Sequence, residues 1–175
     1  MAHDHSNVAT STKPRLDYAQ RPMLVFWETT RACSLACKHC RASATAEALP
    51  GELTSSEGIE LINQVAAFGR PFPILVLTGG DCLLRPDIFT LVEHAVKLGV
   101  PVALSPSVTP SLTPEMIERI RTSGVKAVSI SLDGAIAQTH ETVRGIPGHF
   151  EKTVEAIRAL TAAGMTVQVN TTVMR

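Results

Sequence analysis

The sequence predicts an α/β fold, a parallel sheet covered by helices and arranged as an open or partial barrel. Three observations carry that expectation. Five short apolar runs recur along the chain, amphipathic stretches with start and stop signals lie between them, and 175 residues fall short of the ~250 that a complete eight-stranded barrel needs. Strand and helix that alternate in this way form right-handed βαβ units with helices packed outside the sheet.

The first run is Leu24-Val25-Phe26-Trp27, following Pro22, and reads as a buried strand with Trp27 as core packing. Next comes Thr54-Ser55-Ser56-Glu57, a capping box that opens a helix with Ile59, Ile62, Val65 and Ala66 on one face and Gly69 as its stop. Ile74-Leu75-Val76-Leu77 is the second strand, ending in Thr78-Gly79-Gly80-Asp81. Asp87 is the expected cap of a helix burying Ile88, Leu91, Val92, Ala95 and Leu98 and closing at Gly99. A third strand lies in Val100 to Leu104. Thr113-Pro114-Glu115 then starts a helix with a capping hydroxyl, proline at the first helical position and an early acid. Val125 to Leu132 gives the fourth strand. The stripe Phe150, Val154, Ile157 and Leu160 gives the last helix, stopped by Gly164, and Thr166 to Val173 gives the fifth strand.

Residues 1–21 are short of aliphatics and read as a mobile tail, in which His3 and His5 are solvated; residues 22–175 are the folded unit. The last strand candidate has no helix after it, and a bare final strand leaves an unpaired edge. The chain therefore reads as the N-terminal part of a longer protein, with its C-terminal part missing.

Composition excludes several classes of function. Sixteen Lys and Arg balance sixteen Asp and Glu, for a net charge of +0, so there is no basic excess for nucleic acid or anionic lipid. Apolar residues make up 45% and charged residues 18%, which favours a sizeable core over disorder. No apolar run approaches the ~20 residues of a membrane span, and Met1 to Arg21 lacks the apolar segment of a signal peptide. A cytosolic location is expected, where thiols are reduced and more often bind metal or do chemistry than form disulfides.

Three of the four cysteines sit in Cys33-Ser34-Leu35-Ala36-Cys37-Lys38-His39-Cys40, just after the first strand. Three thiolates on one short loop can wrap one metal centre. Zinc would want a fourth ligand, for which His39 is at hand, and zinc motifs usually come as two separated pairs. Ferredoxin-type sequences supply four cysteines at other spacings. Three ligands suit a four-iron cubane with one iron left open to a small molecule. Buried, unliganded cysteines are the remaining alternative.

This loop resembles the cluster motif of the radical S-adenosylmethionine (radical SAM) enzymes, and the resemblance extends over nearly all of residues 22–175. It is nearest to the branch whose members carry a C-terminal SPASM-type domain, including peptide maturases and haem-precursor enzymes. His39 stands where relatives often have Tyr, Phe or Trp. The resemblance implies a partial (βα)6-type TIM barrel, and a 4Fe-4S cluster held by Cys33, Cys37 and Cys40 with S-adenosylmethionine on its unique iron. It further implies reductive cleavage to methionine and a 5′-deoxyadenosyl radical that takes hydrogen from a substrate. A peptide or a tetrapyrrole precursor would be the substrate, and a flavodoxin- or ferredoxin-type protein the electron donor. A non-catalytic iron–sulfur or zinc module, or an inactive fragment, is the competing expectation.

The remaining cofactor contacts are read from matching segments. Gly79, Gly80 and Asp81 resemble the family's GGE motif; the glycines allow close backbone approach and Asp81 can accept from the methionyl ammonium. On the fourth strand Ser129, Ser131 and Asp133 alternate with Val128, Ile130 and Leu132, so one face is polar, which suits either a cavity for a polar cofactor or a half-exposed strand whose polar residues face water. Ser131-Leu132-Asp133 resembles the family's SLD segment, whose serine contacts the cofactor. His140 to Gly145 resembles an HDxxRG segment, which assigns Arg144 to the methionyl carboxylate and leaves His140 a structural role. Asn170, on the polar side of the fifth strand with Gln168 and Thr172, is a candidate for the ribose or adenine. Ser105 and Ser107 end the third strand, and Cys82 is a small buried filler.

Overall fold

The computed structural model describes residues 17–173. Five parallel strands lie side by side in chain order: β1 (Leu24–Glu28), β2 (Ile74–Thr78), β3 (Val102–Leu104), β4 (Ala127–Ser131) and β5 (Val167–Asn170). The helices are α1 (Ser55–Ala67), α2 (Ile88–Lys97), α3 (Pro114–Thr122), α4 (Ala137–Arg144) and α5 (His149–Ala162). Each strand is added on the same side of its predecessor, so right-handed crossovers bring every connecting helix onto one face. The other face is left open.

The register shows how the sequence divides its side chains between the two faces. Leu75 and Leu77 on β2, Val102 and Leu104 on β3, and Val128 and Ile130 on β4 are fully buried beneath the helices. They meet Ile62 and Val65 of α1, Leu91, Val92 and Ala95 of α2, Ile120 of α3 and Leu160 of α5 in one core. Each of these Val, Leu and Ile side chains contributes ~1.5–3 kcal/mol on burial. Alternate residues turn to the open face: Phe26 pairs with Val76, Val76 with Ala103, Ala103 with Ala127, and Ser129 with Gln168. At the C-terminal ends of the strands this row becomes polar, with Glu28 beside Thr78 and Ser131 beside Asn170.

The local signals act largely as their chemistry dictates. Thr54 and Glu57 close a reciprocal capping box at α1, and Thr113 accepts from the Met116 N–H with Pro114 at the first position of α3. Trp27 packs on the helix side, over Gly58 of α1, where an added Cβ would lie 2.5 Å from its ring. It is core packing and takes no part in the open face.

Three expectations need correction. Asp87 does not cap α2 with its side chain, because that carboxylate pairs with Arg85 at 2.7 Å. The stretch 17–21 is not free: Asp17 forms a turn with Gln20 and Arg21, and the Arg21 guanidinium donates to the Gly69 carbonyl at 2.7 Å. His3 and His5 lie outside the described residues. Finally, a helix with a polar sequence, α4, precedes α5 between β4 and β5, and it carries Arg144.

Candidate cofactor site

The cysteine loop leaves β1 at its C-terminal end, on the polar rim of the sheet. Its root runs beside the segment after β2. Thr29 donates to Thr78 O, Gly80 N to Thr30 O and Asp81 N to Ala32 O, all at 2.8 Å. This approach is why Gly79 and Gly80 are glycines. A Cβ on Gly79, whose φ is +139°, would stand 2.3 Å from Thr30 O, and one on Gly80 would stand 2.4 Å from Ala32 O. The close contact that the pair permits is with the loop's own backbone, while both glycines also line the cavity beyond it.

The loop is strapped shut. Ala32 and Thr45 form a parallel bridge, with Cys33 N donating to Thr45 O at 2.8 Å and Thr45 N to Arg31 O at 2.9 Å. Glu52 reaches in from the chain before α1 and accepts from Arg31 N, Leu49 N and the Thr30 hydroxyl. Burial raises its pKa, but these donors outweigh burial and hold the carboxyl below its usual range. Arg85, which sequence reasoning missed, is buried against Trp27 and donates to Thr29 O at 2.9 Å and Leu53 O at 2.8 Å. Its only signal was an arginine among apolar residues just after the glycine motif.

Cys33, Cys37 and Cys40 line one cavity of about 410 Å³ together with Gly79, Gly80, Ser105, Ser107, Ser131, Arg144 and Thr172. Leu35 N lies 3.4 Å from Cys33 Sγ and Ala44 N 3.4 Å from Cys40 Sγ, each donating to the sulfur. Ser107 donates its hydroxyl to Gly80 O at 2.8 Å and sits 3.7 Å from Cys33 Sγ. The Arg144 Nη1 points at Cys37 Sγ from 3.6 Å. Burial pushes the Cys37 thiol above its ordinary range, against the lowering effect of the Arg144 guanidinium. Among the described residues, no three His, Cys, Asp or Glu side chains are gathered as ligands of a single ion. Three thiols around one cavity, two with backbone N–H donors to sulfur and one with a guanidinium, are the donor set that an iron–sulfur cluster takes. The residues present fit that group.

The other expected contacts divide into two sets. Ser131 and Arg144 are at the cavity wall, whereas Asp81, Asp133 and Asn170 are not. Asp81 is fully buried, and its carboxylate accepts from Leu83 N at 3.2 Å, Ser107 N at 3.3 Å and the Thr109 hydroxyl at 2.8 Å. Burial raises its pKa in spite of those donors. It pins the loop after β3 to the loop after β2 instead of facing the cavity. Asp133 is buried behind Arg144, accepting from its Nε at 2.8 Å and Nη2 at 2.7 Å and from Thr172 N at 3.0 Å. His39 Nε2 stands 3.4 Å from the same carboxylate, and its Nδ1 is buried without a partner. Asn170 is exposed on β5 and accepts from Gln168; Thr172, two residues on, lines the cavity in its place.

Beside Asp133 stand His140 and, lining the cavity itself, His149. His149 sits at the start of α5 and is buried; it too was missed, because nothing in its spacing marks it. Cys82 is fully buried in a short 3-10 turn after Asp81, and burial raises its thiol far above the ordinary range. Glu28 and the exposed Arg41 form an ion pair at the cavity mouth.

Residues 27–175 match a family model described as the radical SAM superfamily. The chain is 44% identical over 154 residues to an AdoMet-dependent heme synthase of Methanosarcina barkeri, covering 88% of this chain and 43% of the relative. It is 35% identical over 160 residues to the mycofactocin maturase MftC of Mycobacterium tuberculosis, covering 89% and 40% respectively. Among solved structures, Streptococcus suis SuiB bound to S-adenosylmethionine superposes with a TM-score of 0.73 at 14% identity, over 88% of this chain and 35% of SuiB. The chain thus spans less than half the length of the curated relatives it matches. The fold it shares with SuiB is the α/β sheet with helices on one side described above. Among the described residues, no helix is long and apolar enough to cross a membrane.

Proposed function

Because this chain belongs to the radical SAM superfamily, whose members are enzymes built on a 4Fe-4S cluster and S-adenosylmethionine, we propose that Cys33, Cys37 and Cys40 hold the cluster. In this reading the cavity beside them takes the sulfonium nucleotide. The observation that carries the proposal is the convergence of three thiols, the Gly79–Gly80 pair, Ser131 and Arg144 on one cavity. When bound, the cluster supplies one electron that splits the sulfonium into methionine and a 5′-deoxyadenosyl radical, which takes a hydrogen atom from substrate.

The chain's own residues bind, orient and shield. A guanidinium carries five N–H donors. Arg144 directs Nε and Nη2 at Asp133 and one Nη1 hydrogen at Cys37. Two N–H groups remain for the methionyl carboxylate, in the bidentate manner to which arginine is suited. The Ser131 hydroxyl supports the same end. With Asp81 engaged elsewhere, the ammonium is assigned to the backbone carbonyls of Gly79 and Gly80. Leu35, Pro106 and Val108 contribute the apolar wall, which limits water around a reactive carbon radical.

The substrate is proposed to be a tetrapyrrole precursor or a peptide, with a flavodoxin- or ferredoxin-type protein as electron donor; the first is supported by similarity to an AdoMet-dependent heme synthase, and the second by the shared fold with Streptococcus suis SuiB, solved bound to the precursor peptide SuiA. Anaerobic reconstitution tests the reading. The protein is expected to take up about four irons with matching sulfide and to release methionine and 5′-deoxyadenosine with a strong reductant. Cys37→Ala is expected to lose the cluster. Loaded protein that never cleaves S-adenosylmethionine, or protein that retains a single zinc, overturns it.

A further inference from the structure

Arg144 does more in this structure than face the cavity. Its guanidinium is buried between Asp133 and the thiol of Cys37, with Nη1 at 3.6 Å from Sγ. The loop does not need this contact to hold its place. It is already tied by the Ala32–Thr45 bridge and by Lys38 N, which donates to Val143 O at 2.9 Å. Burying an arginine beside a carboxylate is not in itself a route to stability. The carboxylate instead fixes which nitrogen points at sulfur: Asp133 takes Nε and Nη2, is itself held by Thr172 N, and so presents Nη1 to Cys37.

We propose that Arg144, clamped by Asp133, sets the charge at the Cys37 sulfur and raises the reduction potential of a cluster held there. This rests on the assignment of the three cysteines as its ligands. Reduction adds negative charge that spreads onto the sulfurs. A permanent cation with an N–H aimed at one of them stabilises the reduced state more than the oxidised state. Cluster potentials respond to such charge and hydrogen bonding, and a buried guanidinium is screened little by salt. Arg144 thus makes the cluster easier to reduce, besides meeting the carboxylate of the nucleotide.

The test is an EPR-monitored redox titration of reconstituted protein without S-adenosylmethionine, so that cofactor binding plays no part. Arg144→Gln is expected to shift the midpoint to a more negative potential, and Arg144→Lys, which keeps a charge but not the fork, to fall between. A Gln variant with the wild-type midpoint, or a more positive one, overturns the proposal. Should the variants fail to load, wild-type protein carrying 15N-guanidino arginine answers instead. Hyperfine coupling between the reduced cluster and a guanidinium nitrogen is expected, and its absence overturns the proposal. Wild-type protein that takes up no iron or sulfide overturns the cysteine assignment itself, a result distinct from a loaded cluster indifferent to Arg144.

Discussion

His140 and His149 stack with ring centroids 5.0 Å apart and 14° between their planes, and His140 Nε2 lies 2.7 Å from His149 Nδ1. The surrounding partners assign the protons. His140 Nδ1 accepts from Asp133 N at 3.0 Å, so its Nε2 carries the hydrogen and donates to His149. Nδ1 of His149 is then the acceptor, and its Nε2 donates to Val108 O at 3.0 Å. Both rings are neutral, and a second proton on either would set two N–H groups against each other. The chain of bonds ties the β4 end, with Asp133, to the β3 end beside Ser107.

Burial lowers the pKa of both histidines; His149 and Arg144 lower that of His140 further while Asp133 and Glu141 oppose, and Arg144 and Lys152 lower that of His149 further while the bond to the Val108 carbonyl and Glu141 oppose. An unfolded histidine titrates near ~6.5. Stability from the neutral pair is therefore complete above that pH and falls as pH drops below it, where only the unfolded chain takes protons. Urea midpoints at pH 7.5 and 5.5 are expected to differ, with the lower at 5.5. In a His140→Gln, His149→Gln double variant the difference is expected to shrink.

Asp81→Asn separates a structural carboxylate from a cofactor contact. An amide in this place would set an NH2 group against one of three donors, at a cost of ~1–3 kcal/mol for an unsatisfied buried group. Denaturation is expected to show that loss, while calorimetry on the reconstituted protein shows S-adenosylmethionine affinity within about twofold of wild type. An affinity lost without loss of stability would return Asp81 to the cavity.

Gly80→Ala would drive a methyl group into the backbone carbonyls of Arg31 and Ala32, at 2.7 and 2.4 Å. Backbone cannot give way as a flexible side chain can, so the cost is expected to reach the upper part of the ~1–3 kcal/mol seen for overpacking. The root of the cysteine loop would shift with it. Iron and sulfide content after reconstitution is expected to fall by half or more.

Cys82→Ala tests the division among the four cysteines. Cys82 is fully buried away from the cavity lining, so the variant is expected to keep the full iron content. Cys33→Ala, Cys37→Ala and Cys40→Ala are each expected to lose it. Iron loss on Cys82→Ala would make it a ligand.

The strand and helix order was legible because each element carries its own local cause: the Thr54–Glu57 box, Pro114 after Thr113, and the apolar alternation of Val128 and Ile130. The three cysteines and Ser131 stood out as motif residues at strand ends, and Arg144 as a motif residue whose place, the last turn of α4, spacing did not show. The exact use of the carboxylates was not. Asp81, Asp87 and Asp133 each found a partner distant in sequence or in a side chain that spacing does not reveal: Thr109, Arg85 and Arg144. Helix α4 escaped notice because it buries mainly His140 and Arg144 and so has no apolar stripe. His149 was invisible for the same reason, since its partners are another histidine and a carbonyl.

The short bridge from Ala32 to Thr45 makes the thiol-bearing segment a ring fastened at its neck. The entropy lost in bringing the ends of a loop together is met by polypeptide alone, ahead of any inorganic component. Assembly then amounts to filling a standing nest, and protein stripped of iron is expected to keep that nest's outline and its resistance to proteases.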